Sequence, residues 1–361
     1  MPYNLNDAGL RPVSLQKRSS VYRLDKIGLR NRYYIVSTEG TRRLMASPEV
    51  VGFDSYKAML ESTVAAMDHL LKEGLGGDFS ILTILRGGLN YPLEECCDKC
   101  GLQVSNMNFL SCERVIENKV ITGLDIKYEK LHVQKDAQLL IGDIIASGDT
   151  FKLCFNHVIE KFRRKGGSIR RIVFFTIGGT RAIDLLESRY DKIKAIWPEF
   201  EGFDCVFYEG VFSVYEDNGV TGVNIPMIDF GWKDGIVAPE FRSYVETLPD
   251  ALFEKCIIYD GGARRYEIPE HIKEVSDYWK DLSAAAAAGA DFRSFVEEKA
   301  GHAVGISYED WLDVTRYRGL DGTGSLYESE TAFLQASLGR DFKELADSRL
   351  SEFTYNMQRY E

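Results

Sequence analysis

Histidine is scarce. The 361 residues contain five, His69, His132, His157, His271 and His302, scattered with no metal-ligand spacing, and none is assigned a role. Basic excess is missing too: 44 Lys and Arg stand against 55 Asp and Glu, a net charge of −11, so the long-range field opposes nonspecific binding to nucleic acid or to an anionic membrane. Any anion site must be built locally. No apolar run approaches the roughly 20 residues that span a bilayer, and the opening "MPYNLNDAGLRPVSLQKRSS" lacks the apolar core of a signal peptide, so a cytoplasmic protein is expected. Seven cysteines, an odd number, fit reduced thiols rather than a disulfide framework. Cys97 and Cys100 make one CxxC, but no second CxxC follows to complete a tetrahedral zinc site, and no metal ligand is assigned. There is no internal repeat, no GxGxxG between a strand and a helix, and no Walker lysine motif, which excludes the commonest dinucleotide and nucleoside-triphosphate cradles.

What is present is an ordinary globular composition, 45% hydrophobic and 27% charged, long enough for a large domain with an appendage. Residues 1–50 read as an N-terminal extension with one short strand, "RYYIVS". Apolar spacing of three to four from Tyr56 through Leu60, Val64, Met67 and Leu71 predicts a helix ending near Gly74. "FSILTIL", "QVSNMNFL", "AQLLIG", "RIVFFTI" and "DCVFYEGVF" predict strands, and helices after the fourth and third of these complete an alternation that implies a parallel twisted sheet flanked by helices, an α/β fold, over residues 51–250. The charged stretch from Glu113 to Lys135 reads as a hairpin or lid. Residues 251–361, including the run "SAAAAAG", are rich in helix formers and read as a helical C-terminal region.

The informative stretch is "LLIGDIIASGDT", Leu139 to Thr150. A buried strand stops at Asp143 and turns through Ser147, Gly148, Asp149 and Thr150 into a helix whose apolar positions are Phe151, Cys154, Val158 and Phe162. Such a corner aims backbone N–H groups at the positive end of a helix dipole, and a glycine lets the backbone come close: it is an anion socket. An ionised carboxylate only accepts hydrogen bonds, so Asp143 suits sugar hydroxyls rather than the phosphate itself. Together they describe a sugar-phosphate site.

In these residues the chain resembles the type I phosphoribosyltransferases, which bind 5-phosphoribosyl 1-pyrophosphate (PRPP). The family signature is a buried strand, two acids, two apolar residues, a Ser/Thr-Gly turn and a closing Ser or Thr. Here Asp143 is the second acid, Ile144 and Ile145 the apolar pair, and Ala146, Ser147, Gly148, Asp149 and Thr150 the 5-phosphate loop. Two departures stand out. Gly142 takes the first acidic position, and Ala146 replaces a third acid that some members use toward purines. An earlier family loop, basic-Gly-Gly, contacts the pyrophosphate, and Leu85, Arg86, Gly87 and Gly88 occupy that place. Gly179 and Thr180 begin a third corner, where relatives build part of the acceptor site, and Phe230 and Trp232 fall in the segment that forms the family's hood over the base.

The resemblance implies a pentosyltransferase of nucleotide metabolism that moves ribose 5-phosphate from PRPP to a nucleobase-like nitrogen acceptor and releases pyrophosphate. Asp143 and Arg86 would be the catalytic pair, and Mg2+ would arrive with PRPP. A homodimer is expected. Two alternatives stay open: a non-catalytic PRPP-binding regulatory protein, suggested by Gly142, Ala146 and the long helical tail, and a reversed or unusual ribosyl-transfer reaction.

Overall fold

The computed structural model describes residues 5, 7–117, 120–146, 148–217, 220, 224–254 and 261–360. Its strands are β1 (Gly9–Leu15), β2 (Ser19–Asp25), β3 (Arg32–Thr38), β4 (Phe79–Leu85), β5 (Val104–Glu117), β6 (Val120–Lys130), β7 (Ala137–Gly142), β8 (Ile169–Gly179), β9 (Gly202–Asp217) and β10 (Asn224–Val237). The helices of the sheet region are α1 (Glu39–Ala46), α2 (Phe53–Lys72), α3 (Leu93–Lys99), α4 (Asp149–Arg164), α5 (Thr180–Ile196) and α6 (Pro239–Glu246). The C-terminal region adds α7 (Gly261–Tyr266), α8 (Ile268–Ala287), α9 (Phe292–Ala300), α10 (Tyr308–Thr315), α11 (Thr323–Leu338) and α12 (Phe342–Met357).

All described strands join one sheet in the order β1-β2-β3-β9-β8-β7-β4-β5-β6, with β10 beside the far half of β9. The six middle strands, β3, β9, β8, β7, β4 and β5, run parallel. Their sequences explain this: "AQLLIG" is buried at every position and "FSILTIL" at all but the last, the unbroken apolar runs of strands covered on both faces. Antiparallel strands close the two edges, β1 and β2 at one and β6 at the other. The first fifty residues therefore hold three strands where one was read, and they extend the sheet itself. The charged stretch is a hairpin, β5 paired with β6 from Phe109↔Lys130 to Glu117↔Val120.

The alanine run lies within α8 and its C-cap, as helix. Two ionic clusters tie the tail to the sheet region. Glu330 on α11 accepts from Arg242 on α6 at 2.6 Å and from the indole of Trp311 at 2.9 Å, with His302 at 3.1 Å. Burial pushes its carboxyl up, but Arg242 and His302 prevail and hold it at about 2. Arg349 of α12 donates to Glu254 at 2.5 Å and pairs with Glu49, between α1 and α2, at 2.8 Å.

Candidate functional site

The strands β4 and β7 are parallel neighbours, so the loops leaving their carboxyl ends emerge side by side. Leu85 closes β4, its peptide to Arg86 is cis, and Gly87–Asn90 form a 3-10 turn. Beside it Asp143 leaves β7; its N–H donates to Phe175 O of β8 at 3.1 Å, and its Oδ1 accepts the Ile144 N–H at 2.9 Å. The two loops touch. A Cβ on Gly87 would lie 2.7 Å from Asp143 Oδ1, and one on Gly88 3.1 Å from Gly142 O and 3.2 Å from Thr83 Cγ2. These glycines thus let the two loops approach each other, rather than only leaving room for an anion. Burial pushes the Asp143 carboxyl up to about 7, against the Ile144 N–H, which favours its ionised form.

Ala146 is buried in the bend, and Gly148 is the N-cap of α4 with φ of 78°, a left-handed conformation that glycine adopts without cost. Having no side chain, Gly148 leaves the amides of the first turn to other partners. Asp149 and Thr150 are the first two residues of that turn. Ser147 lies outside the described residues. All four apolar positions read for this helix, Phe151, Cys154, Val158 and Phe162, are buried.

Tyr91 occupies the space of the absent first acid. A Cβ on Gly142 would stand 2.3 Å from both Cβ and Cγ of Tyr91. The ring is almost fully buried, and its hydroxyl donates to Asp143 O at 2.9 Å while accepting the Ile177 N–H at 3.1 Å. One side chain thus links the ends of β7 and β8 to the loop after β4. Nothing in the sequence marked Tyr91, because its role depends on a neighbour 51 positions away in the chain.

Arg86 turns its guanidinium to Glu267, with Nη1 to Oε1 at 2.5 Å and Nη2 to Oε2 at 3.2 Å, a two-point pair between exposed side chains. The pair holds the Glu267 carboxyl below its usual range. Glu267 precedes α8, so the C-terminal region reaches this loop. Arg265 of α7 lies over the Tyr56 ring at 4.2 Å and donates to Leu89 O. Arg264 is buried, donating to Val50 O at 2.7 Å and to Ser47 O.

The third corner is tight. A Cβ on Gly178 would meet Ile145 O at 2.9 Å, and one on Gly179 would meet Phe212 O at 2.6 Å. Gly179 is the N-cap of α5 and Thr180 its first helical residue. Phe230 is buried with its ring 5.8 Å from that of Phe212. Trp232 meets Phe241 edge-on at 5.9 Å and carries the Arg242 guanidinium at 4.7 Å. Both rings are engaged by the protein's own side chains.

Cys96 and Cys97 are buried in α3, and Cys100 is its half-buried C-cap. Among the described residues no group of three or more His, Cys, Asp and Glu side chains is placed to hold a metal ion, and no helix is long and apolar enough to cross a membrane.

No family model matches the chain, and no curated protein matches it. Solved structures overlap part of it. A hypoxanthine phosphoribosyltransferase from Staphylococcus aureus is 14% identical with a TM-score of 0.28, the match covering 36% of this chain and 65% of that one. A purine phosphoribosyltransferase from Pyrococcus horikoshii is 18% identical at 0.25, covering 33% and 71%, and the L. donovani hypoxanthine-guanine enzyme 11% identical at 0.28, covering 37% and 74%. The chain thus spans just under two thirds of the first of these. Overlaps of this size carry no argument about function, which rests below on the geometry of the loops.

Proposed function

We propose that this chain is a phosphoribosyltransferase that takes the magnesium complex of PRPP and transfers ribose 5-phosphate to a nucleobase-like nitrogen acceptor, releasing pyrophosphate. One observation carries the reading: the loop Leu85–Gly88 and the bend 142–150 emerge from adjacent parallel strands and touch at Gly87 and Asp143, next to the N-terminus of α4. A phosphate at that helix end would meet the first-turn amides of α4 and its dipole. Arg86, released from Glu267, would meet the pyrophosphate with a two-point charge-assisted contact, and Gly87 and Gly88 would offer backbone at short range.

Asp143 would accept hydrogen bonds from the ribose hydroxyls. With its carboxyl up at about 7, it is about half protonated in the free protein at neutral pH, and hydroxyl donors together with the substrate's magnesium would draw it to the ionised form. Displacement at the anomeric carbon leaves positive charge on the ring and negative charge on pyrophosphate. The chain's contribution is therefore to stabilise the leaving group through Arg86 and to hold the acceptor in line, with the hairpin β5–β6 excluding water. Magnesium here is part of the substrate; Asp143 would face it through water.

Release of pyrophosphate from PRPP with magnesium, measured against a panel of bases, tests this. Turnover with one base, lost in Arg86→Gln, is the expected result. A second reading, a PRPP-binding regulator without turnover, is favoured by Tyr91 standing where the first acid would be. A PRPP-dependent rise in melting temperature with no turnover on any base would select it; no response to PRPP by either measure would discard both.

A further inference from the structure

Far along the sheet from these loops, a cavity of about 560 Å³ opens between β1, β2, α1, α6 and the start of α11. It lies within the size range of small-molecule sites, roughly 300–1,000 Å³. Strand β2 is four strands from β7, which at about 4.8 Å per strand puts roughly 19 Å between this cavity's wall and the candidate PRPP site. The walls are apolar and aromatic, with Leu15, Tyr22, Tyr244 and Leu326 among them.

The cavity also carries charge of both signs, and the charges do not meet. Arg42 lines it; its Nη1 donates to Ser37 Oγ at 3.0 Å, and among the described residues no carboxylate lies within ion-pairing distance of it. Glu240 lines it as well, its Oε1 accepting from Ser20 Oγ at 2.5 Å and from Tyr22 OH at 2.7 Å, while its Oε2 is buried with no partner among the described residues. Asp321 adds an exposed carboxylate to the lining. Opposite charges that share a cavity gain energy by closing on each other, yet here hydroxyls hold each in place: Ser37 steadies the cation, and Ser20 and Tyr22 steady the anion.

We infer that this cavity is a binding site for a zwitterion, a free amino acid with a large apolar or aromatic side chain. Its carboxylate would pair with Arg42 and its ammonium with the acidic wall that Glu240 and Asp321 form. The side chain would lie against Tyr22, Tyr244 and the leucines. A phosphate-bearing ligand suits the cavity less, since two acids would face it against one arginine.

Calorimetric titration of the full chain with phenylalanine, tyrosine, leucine and methionine tests the assignment. One of them binds with a dissociation constant below about 1 mM. The same ligand without its ammonium or without its carboxylate binds at least tenfold more weakly, as charge-assisted contacts of this kind require. Arg42→Gln and Glu240→Gln each lose at least tenfold. Leu15→Trp, which fills the mouth from an exposed position on β1 and touches neither charge, abolishes binding while the melting temperature holds; it decides the matter if Glu240→Gln fails to fold. The inference is overturned if none of the four amino acids binds, or if binding survives Leu15→Trp.

Discussion

Putting a side chain back at position 142 should destabilise the protein, and the size of the loss can be worked from Tyr91. The Cβ of Gly142→Ala would stand 2.3 Å from two carbons of Tyr91 and 2.9 Å from a third, where carbon contacts settle near 3.5–4.0 Å. The ring must therefore retreat by more than about 1 Å, and overpacking of a filled core costs about 1–3 kcal/mol. Retreat also parts the Tyr91 hydroxyl from Asp143 O and from the Ile177 N–H, and leaving that buried amide unpaired costs about 1–3 kcal/mol more. Gly142→Ala should thus lose about 2–6 kcal/mol, and Gly142→Asp, with its longer side chain, at least as much. Urea unfolding followed by tyrosine and tryptophan fluorescence measures it. Because the clash involves Tyr91 Cβ, only Tyr91→Gly fully relieves it, so Gly142→Ala should cost less than about 1 kcal/mol in that background, the non-additivity of residues in contact. If Gly142→Ala alone stays within about 0.5 kcal/mol of the parent, the claim that Tyr91 took the acid's space is refuted.

Three further outcomes follow. The carboxyl of Asp143 sits at about 7, above its usual value, so between about pH 4 and pH 7 the folded chain keeps a proton the unfolded chain has lost, and this residue's contribution to stability falls as pH rises through that window. Asp143→Asn should therefore gain about 1–2 kcal/mol more at pH 8 than at pH 5, discounted for the residue's partial exposure, and equal gains in urea melts at both pH values would contradict it. Arg86→Gln should weaken binding of inorganic pyrophosphate at least about tenfold in calorimetry, the loss of a charge-assisted pair, while Glu267→Gln, which removes the internal competitor for Arg86, should tighten it by a few-fold; an unchanged affinity in both variants would show that Arg86 does not meet pyrophosphate. Cys112 of β5 and Cys154 of α4 stand with sulfurs 3.0 Å apart, so oxidised glutathione should convert the two thiols to one disulfide, itself becoming two reduced glutathiones. Peptide mapping that finds both thiols still alkylatable after such treatment would count against it.

How much of this could be read in the sequence varied with how local the cause was. The strand-corner-helix at 139–162 was legible because an unbroken apolar run, a glycine and a helical stripe each act within a few residues. The helix α2 was legible as a helix, but its buried face was not. The stripe Tyr56, Leu60, Val64, Met67 and Leu71 points to one side, whereas Ser55, Met59, Ser62, Thr63, Ala66, Met67, His69 and Leu70 are the ones buried. Two hydroxyls explain the rotation: Thr63 Oγ1 reaches Tyr208 OH and Met59 O, both at 2.7 Å, and Ser62 Oγ lies 2.6 Å from Thr38 Oγ1 and 2.7 Å from Thr41 Oγ1. Hydropathy counts such residues as surface, but burial becomes cheap once each has a partner, and the partners are distant in sequence. Strands β1 and β2, at a sheet edge, carry mixed patterns for the same kind of reason: only part of each is covered.

The exchange of an acid for Tyr91 also bears on which functional reading to test first. In the proposed reaction a carboxylate on the ribose hydroxyls also faces a ring that turns positive, so losing one weakens both PRPP binding and the transition state. In that proposed reaction charge also develops on the leaving pyrophosphate, so acceleration would depend on Arg86 and the backbone of Gly87 and Gly88. Arg86 is paired with Glu267, which a pyrophosphate bound there would have to displace. A chain that had kept only PRPP binding would have less need of a cation aimed at the leaving group, held by an acid supplied from the C-terminal region. The deciding comparison is therefore Arg86→Gln and Asp143→Asn in one assay: a catalyst loses turnover in both, and PRPP affinity as well in the second, whereas a regulator loses affinity in both and has no turnover to lose.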